Sequence, residues 1–370
     1  MEAIANRTEY DILKNKLGAR IEHGRTLGQG ALKDLLDQGS LLEDYLVPLQ
    51  KLDYLMDAEQ RVLLSFSNKE GVVAANMHDN AISQLSSRLD LPPAFMRELL
   101  NGEDWKRNIG RDTLDKFTQH ARNTNVLVRK VGGQARAVLS DKYRRMNNLP
   151  VFTSFVKGAT GQGAQLYDGH VGDLRAFVEV MMPDIFEVHT PKNGTVCAAM
   201  GAQISSSDFG NGSLEVRAYL LQVRCLNGMV STSVVREIHL GKRMSEADFA
   251  FSAETYAKDT ETMVSAVGDI TSTIFTPQYR DKLVAQVIGA SAVDTTLEQE
   301  VKQLPKLGVQ KEEVEAVMEL LARSSPDDGV QGDMTAWKVT QALTAHARNA
   351  EPVRMRELQH IAGKMLEQFA

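Results

Sequence analysis

Between Trp105 and Arg145 the chain carries eleven lysines and arginines but only three carboxylates. Trp105, Phe117 and Tyr143 are interleaved among them. Guanidinium and ammonium groups neutralise phosphates, and aromatic rings give bases a flat partner, so this mixture is the recipe for gripping a single nucleic-acid strand. The residues expected to do it are Arg107, Arg111, Arg122, Arg129, Lys130, Arg136, Lys142, Tyr143, Arg144 and Arg145. The remainder of the chain is acidic, and the net charge is −6. Such a local excess bears on partners rather than on fold.

The element that must present these groups is a β-hairpin. Two β-type runs, Val126 to Val131 and Gln134 to Ser140, flank Gly132-Gly133. A Gly-Gly pair in that setting predicts a two-residue turn, because primed turns need positive φ. That register sets Val131 against Gln134, Lys130 against Ala135, and Arg129 against Arg136. Two arginines facing each other repel, which is tolerable where carboxylates or a bound anion neutralise them.

Other chemistries find little support. None of the eight histidines stands in a metal-ligand spacing such as HxxxH, and there is no CxxC. DGHVGD, with Asp168, His170 and Asp173, serves a turn as readily as a metal. GATGQGAQ at 158–165 and GRTLGQG at 24–30 lack the Lys-Ser/Thr that completes a phosphate loop, so ATP-dependent chemistry is disfavoured. Cys197 and Cys225, the only cysteines, are far apart and read as structural thiols. No cofactor, metal or catalytic residue is expected.

Around the hairpin, residues 9–56 show helical spacing punctuated by Gly28, Gly30 and Gly39, which predicts two or three short helices. RVLLSF at 61–66 reads as a strand pairing with Val72 to Ala75. HDNAISQLSSRLDLPPAFMRELLNG reads as two short helices cornered at Pro92-Pro93. The second has Arg97 as its only base against Glu98, Glu103 and Asp104, which favours a packing hairpin over a groove-reading helix. LRAFVEVMM, TVCAAMGAQIS and SLEVRAYLLQVRC follow as strands, with Asn227-Gly228 as a tight turn. From 245 onwards the pattern is helical, interrupted by the loop SSPDDGVQGD at 324–333. The expected fold is α+β: a central, mostly antiparallel sheet with the basic hairpin. A helical N-terminal region (1–70) and a helical C-terminal region (242–370) flank the α+β core (71–241).

No run is long enough to cross a bilayer, and the first residues lack an apolar export core. Two distant cysteines suit a reducing compartment, so a cytoplasmic location is expected.

HDNAISQLSSRLDLPPAFMRELL, RAVLSDKYRRMNN, CLNGMV and TAWKVTQALTAHA together resemble the phage/plasmid-like protein family of unknown function. The likeness spans roughly 75–350. It implies a setting among phages, prophages and conjugative plasmids in bacterial host cells, and hence DNA recombination or replication. The family transfers no catalytic residue. The hairpin-and-helix outline is also similar to ring-forming single-strand annealing proteins. The expected function is therefore ATP-independent binding or annealing of single-stranded DNA, with RNA not separated from DNA, by a homo-oligomer. The alternative is a mobile-element interaction protein that binds a host or phage protein.

Overall fold

In the computed structural model, residues 7–141, Tyr143, 148–230, 235–237 and 253–369 are described. The fold is α+β, with helices at both ends of the chain and two sheets between them.

The first helix, α1 (Arg7–Ser40), is continuous for 34 residues where the glycine spacing predicted two or three pieces. None of its glycines ends it, and two of them, Gly24 and Gly28, serve close approach to the strand Gln165–Val171. A Cβ at Gly24 would stand 1.6 Å from the Tyr167 carbonyl oxygen, so only glycine lets the helix lie against that strand. The expected helical region 1–70 therefore ends at Ser40, and strands begin directly after it.

Six strands form the first sheet: β1 (Leu42–Pro48), β2 (Asp53–Met56), β3 (Val62–Asn68), β4 (Gly71–Met77), β5 (Asn125–Val131) and β6 (Gln134–Ser140). Their order is β1-β5-β6-β4-β3-β2, antiparallel except for the short β4–β6 contact. The predicted pairing of 61–66 with 72–75 is the β3–β4 hairpin. Helices α2 (Asp79–Arg88), α3 (Pro93–Leu100) and α4 (Asp104–Gln119) cover one face. Ile82, Leu85, Met96, Leu99 and Leu114 there meet Leu64, Phe66, Val126 and Val138. His78 accepts the Asn80 N–H to cap α2, and Pro93 opens α3, as the Pro-Pro corner requires.

The second sheet follows α5 (Asn148–Gly161), which contains the start of the glycine-rich stretch at 158–165. It comprises β7 (Gln165–Val171), β8 (Ala176–Thr190), β9 (Gly194–Ser206), β10 (Leu214–Gln222), β11 (Asn227–Val230) and β12 (Val235–Glu237), all antiparallel. The tight turn lies at 223–226, with Leu226 at φ 58°, so Asn227-Gly228 opens β11 instead of forming the turn.

One face of this sheet, with Val178, Val180, Ala202, Ile204, Val216 and Ala218, is covered by α5 and α6 (Ala253–Ile274). Val188, Val196, Ala198 and Leu220 continue that face into a core with α7 (Pro277–Ala292), α9 (Lys311–Arg323), α10 (Ala336–Ala347) and α11 (Pro352–Leu366). A further helix, α8 (Leu297–Gln303), lies between α7 and α9. On the opposite face, Leu13, Leu17 and Ile21 of α1 pack against Tyr167, Met181, Ala199 and Tyr219. The N-terminal helix thus belongs to the second sheet, and 42–140 forms a unit inserted between helix and partner. No described helix is long and apolar enough to cross a membrane.

Candidate anion-binding cleft

The hairpin forms with its predicted turn, and Val131 meets Gln134 while Lys130 meets Ala135. The third expected pair does not form. A β-bulge shifts the register, Arg129 stands opposite Ala137, and Arg136 is the extra residue. The two arginines nevertheless approach a common group. Phe209, on the 207–213 loop between β9 and β10, lies 6.0 Å from the Arg129 guanidinium and 5.7 Å from that of Arg136. Gly210 has φ +74°, a conformation side chains rarely adopt, and a Cβ there would also crowd Leu139 Cδ2, so the loop needs glycine to seat there. The Phe209 carbonyl accepts from Asn80 Nδ2 (3.0 Å) and Gln84 Nε2 (2.8 Å).

These contacts close the hairpin to outside ligands. The Arg129 side chain is 2% exposed, donates to Asp44 Oδ1 (2.8 Å) and to the Asp208 carbonyl (2.7 Å), and lies 4.0 Å from Asp208 Oδ1. Burial opposes its charge, but the carboxylates of Asp208 and Asp44 outweigh that and hold its pKa above the usual value. Burial pushes the Asp208 carboxyl up to about 7, against the pull of Arg129. Arg136 pairs with Asp173 at 3.3 Å and is itself mostly buried. Lys130 pairs with Glu43 across the β1–β5 edge. Tyr143 is held inside by its hydroxyl, which donates to the Ser207 carbonyl at 3.2 Å.

The expectation that Arg129, Lys130, Arg136 and Tyr143 present themselves to a strand is therefore corrected: Arg129, Arg136 and Tyr143 tie the first unit to the second, and Lys130 is paired within the first sheet. Arg107 is likewise engaged, donating to the carbonyls of Gly102, Glu59 and Gln60. Arg111 pairs with its neighbour Asp112, and Arg122 is exposed. Lys142, Arg144 and Arg145 lie outside the described residues.

A second set of cations converges elsewhere. On the α1-facing side of the second sheet, the β8–β9–β10 register aligns Glu179, Gln203 and Arg217 in one row and Phe177, Ser205 and Glu215 in the next. Helix α11 runs past this polar end and presents Val353, Arg356, Glu357, His360 and Lys364. Their spacing of three and four residues is one helical face. Together with Arg175 they line a cleft of about 420 Å³. That size lies within the range of small-ligand sites. Another hollow, at Leu35, Val131 and Phe209, holds only about 20 Å³.

The cleft's floor is fixed by ion pairs. Arg356 donates to Asp168 Oδ2 at 2.6 Å, stands 2.6 Å from Glu179 Oε1, and stacks 4.1 Å from the Phe177 ring. Gln203 Nε2 donates to Glu179 at 2.7 Å, and Arg20 of α1 joins Asp168 at 3.6 Å. Burial raises the Glu179 pKa despite Arg356, while Arg356 is held charged by Glu179 and Asp168 against its own burial. Above the floor, Arg217 bridges Glu215 and His360 Nδ1. The lining carries Arg175, Arg217, Arg356 and Lys364 against the carboxylates of Glu215 and Glu357, with Asp168 and Glu179 pairing Arg356 from below. Cations bordering a partly desolvated cleft favour an anion there. Among the described residues no three His, Cys, Asp or Glu side chains come together as a metal site. Asp168 and Asp173 of the DGHVGD stretch are paired with Arg356 and Arg136.

No family model, curated protein or solved structure matches this chain.

Arg175, Arg217, Arg356, His360 and Lys364 were not among the expected binding residues. Two signals pointed to them: the polar alternates Glu179, Glu215 and Arg217 on strands whose other face is apolar, and the polar stripe along 353–364.

Proposed function

We propose that the protein binds single-stranded nucleic acid without ATP, and that it does so by seating backbone phosphate in the cleft between β8–β10 and α11. The observation that carries this reading is the convergence of Arg175, Arg217, Arg356 and Lys364 on one open cavity, while the hairpin cations are closed by Asp44, Asp173, Asp208 and Glu43. Arginine suits phosphate because its planar fork makes two parallel hydrogen bonds. The cleft offers a place for charge rather than for base edges, so binding is tolerant of sequence.

A fluorescence-anisotropy salt titration with single-stranded DNA, single-stranded RNA and duplex DNA tests the proposal. Affinity for single strands should fall with salt, with a slope of roughly −0.7 per phosphate neutralised. Arg175→Glu with Lys364→Glu should weaken binding by about tenfold or more, since charge-assisted contacts are replaced by repulsion. Undetectable single-strand binding at low salt, or unchanged affinity in the double variant, would end the proposal.

A further inference from the structure

We infer that α4 is a self-complementary contact through which two copies of this chain pair antiparallel about a two-fold axis. Its inner face is fully used: Gly110, Leu114 and Thr118 are buried under the first sheet. Its outer face is not. Trp105 is 57% exposed, Ile109 47% and Phe117 45%, and Thr113 lies between them in the same i, i+4 row. Four positions spaced by four make one stripe about 18 Å long. The Trp105 indole N–H already donates to Glu103 Oε2 at 2.8 Å, which leaves its apolar surface to meet a partner.

The stripe is symmetric about residue 111. An antiparallel copy therefore sets Trp105 against the partner's Phe117 and Ile109 against the partner's Thr113, with each aromatic ring meeting an aromatic ring. The charges agree with this direction. Glu103 and Asp104 stand at the start of the helix, Asp104 with Arg107 at 3.4 Å, whereas Lys116 is exposed in the last turn and Arg122 just beyond it. Antiparallel pairing brings the acidic end of each copy over the basic end of the other, and it also opposes the helix dipoles. Parallel pairing would stack like charge on like charge. Near the axis Arg111 is neutralised by Asp112 at 2.7 Å, and Lys106, which rests 5.7 Å from the Trp105 ring centre, is neutralised beside the stripe by Glu98 at 2.9 Å. A two-fold contact needs this self-complementarity, since each residue meets its counterpart's partner on the same patch. The occupant is accordingly a second copy, and the pairing is independent of what the cleft binds.

Sedimentation velocity over a dilution series, with thermal melts as a folding control, tests the inference. The native chain should pass from dimer to monomer on dilution. Ile109→Asp, at an exposed position, should stay folded and be monomeric throughout. For register, chains carrying Ile109→Cys are mixed with chains carrying Thr113→Cys under mild oxidation. The mixed disulfide should exceed either like-with-like product several-fold, because the register sets 109 against 113, and the buried native thiols Cys197 and Cys225 do not compete. A native chain that is monomeric at every concentration, a dimer that survives Ile109→Asp, or equal like-with-like cross-linking each overturns it. So does a Trp105→Ala variant that loses oligonucleotide binding while the native mass stays monomeric, which would assign the stripe to base stacking.

Discussion

Two groups of arginines sit barely forty residues from each other in the chain at their nearest, yet they differ in what surrounds them. Arg129 and Arg136 on the hairpin are each met by a carboxylate of another element and by the ring of Phe209. Arg175, Arg217 and Arg356 share a cavity with Lys364 and His360, and their carboxylates lie to one side. Charge density along a sequence cannot separate these cases. What separates them is whether the paired cations still border a cavity. The hairpin cations are closed in by the chain's own carboxylates, whereas the cleft cations, with Arg217 and Arg356 paired on one side, still border a cavity, and each difference can be tested.

The largest expected effect is at Arg129. Arg129→Ala strands Asp44 and Asp208 in the interface, and breaking such a buried pair costs about 3–5 kcal/mol. Urea unfolding should show it, with oligonucleotide affinity unchanged in the protein that remains folded. Loss of affinity without loss of stability would reverse the roles assigned to the two groups.

Next comes Phe209→Ala, which empties the seat between the two guanidiniums among Leu127, Val131, Ala137 and Leu139. Truncating a buried phenylalanine costs about 3 kcal/mol or more. A broadened or two-step unfolding transition is expected as well, because the loop joins the two units.

A smaller effect follows from Asp208. Its carboxyl titrates near 7 when folded and near the ordinary value of about 4 when unfolded. Between those values the folded state holds the extra proton, so stability is greatest at the acid end and falls as pH rises towards 7. The slope attributable to one proton is at most about 1.4 kcal/mol per pH unit. Asp208→Asn should flatten that part of the stability profile; an unaltered slope would show that the proton resides elsewhere. At the bottom of the scale, Arg122→Ala should change stability by less than about 0.5 kcal/mol, as expected of an exposed side chain with no buried contact.

Much of the fold was legible locally. Gly132-Gly133, the Pro92-Pro93 corner, the β3–β4 pairing and the C-terminal helices follow from turn chemistry and periodicity. The N-terminal helix was misjudged because glycine has two uses that look alike in sequence: it stops a helix, or it lets one touch a strand, as Gly24 does. The site was less legible. A bulge moves Arg136 out of register, and no periodicity records a bulge. The carboxylates that close the hairpin come from positions 44, 173 and 208, so their effect depends on long-range pairing. The cleft's strands showed their alternation, but the helix that turns their polar face into a cavity stands at the other end of the chain.

The placement of α1 also bears on how the chain is made. Its apolar face, Leu13, Leu17 and Ile21, is covered by strands β7 to β10, which begin at Gln165. At a synthesis rate of 5–20 residues per second, the helix emerges on the order of ten seconds before its partners exist. During that interval the inserted unit at 42–140 can already fold, while α1 offers an uncovered apolar ridge to chaperones or to neighbouring nascent chains. Yield in cells should therefore respond more to conditions of translation and chaperone supply than the stability of the finished protein would indicate.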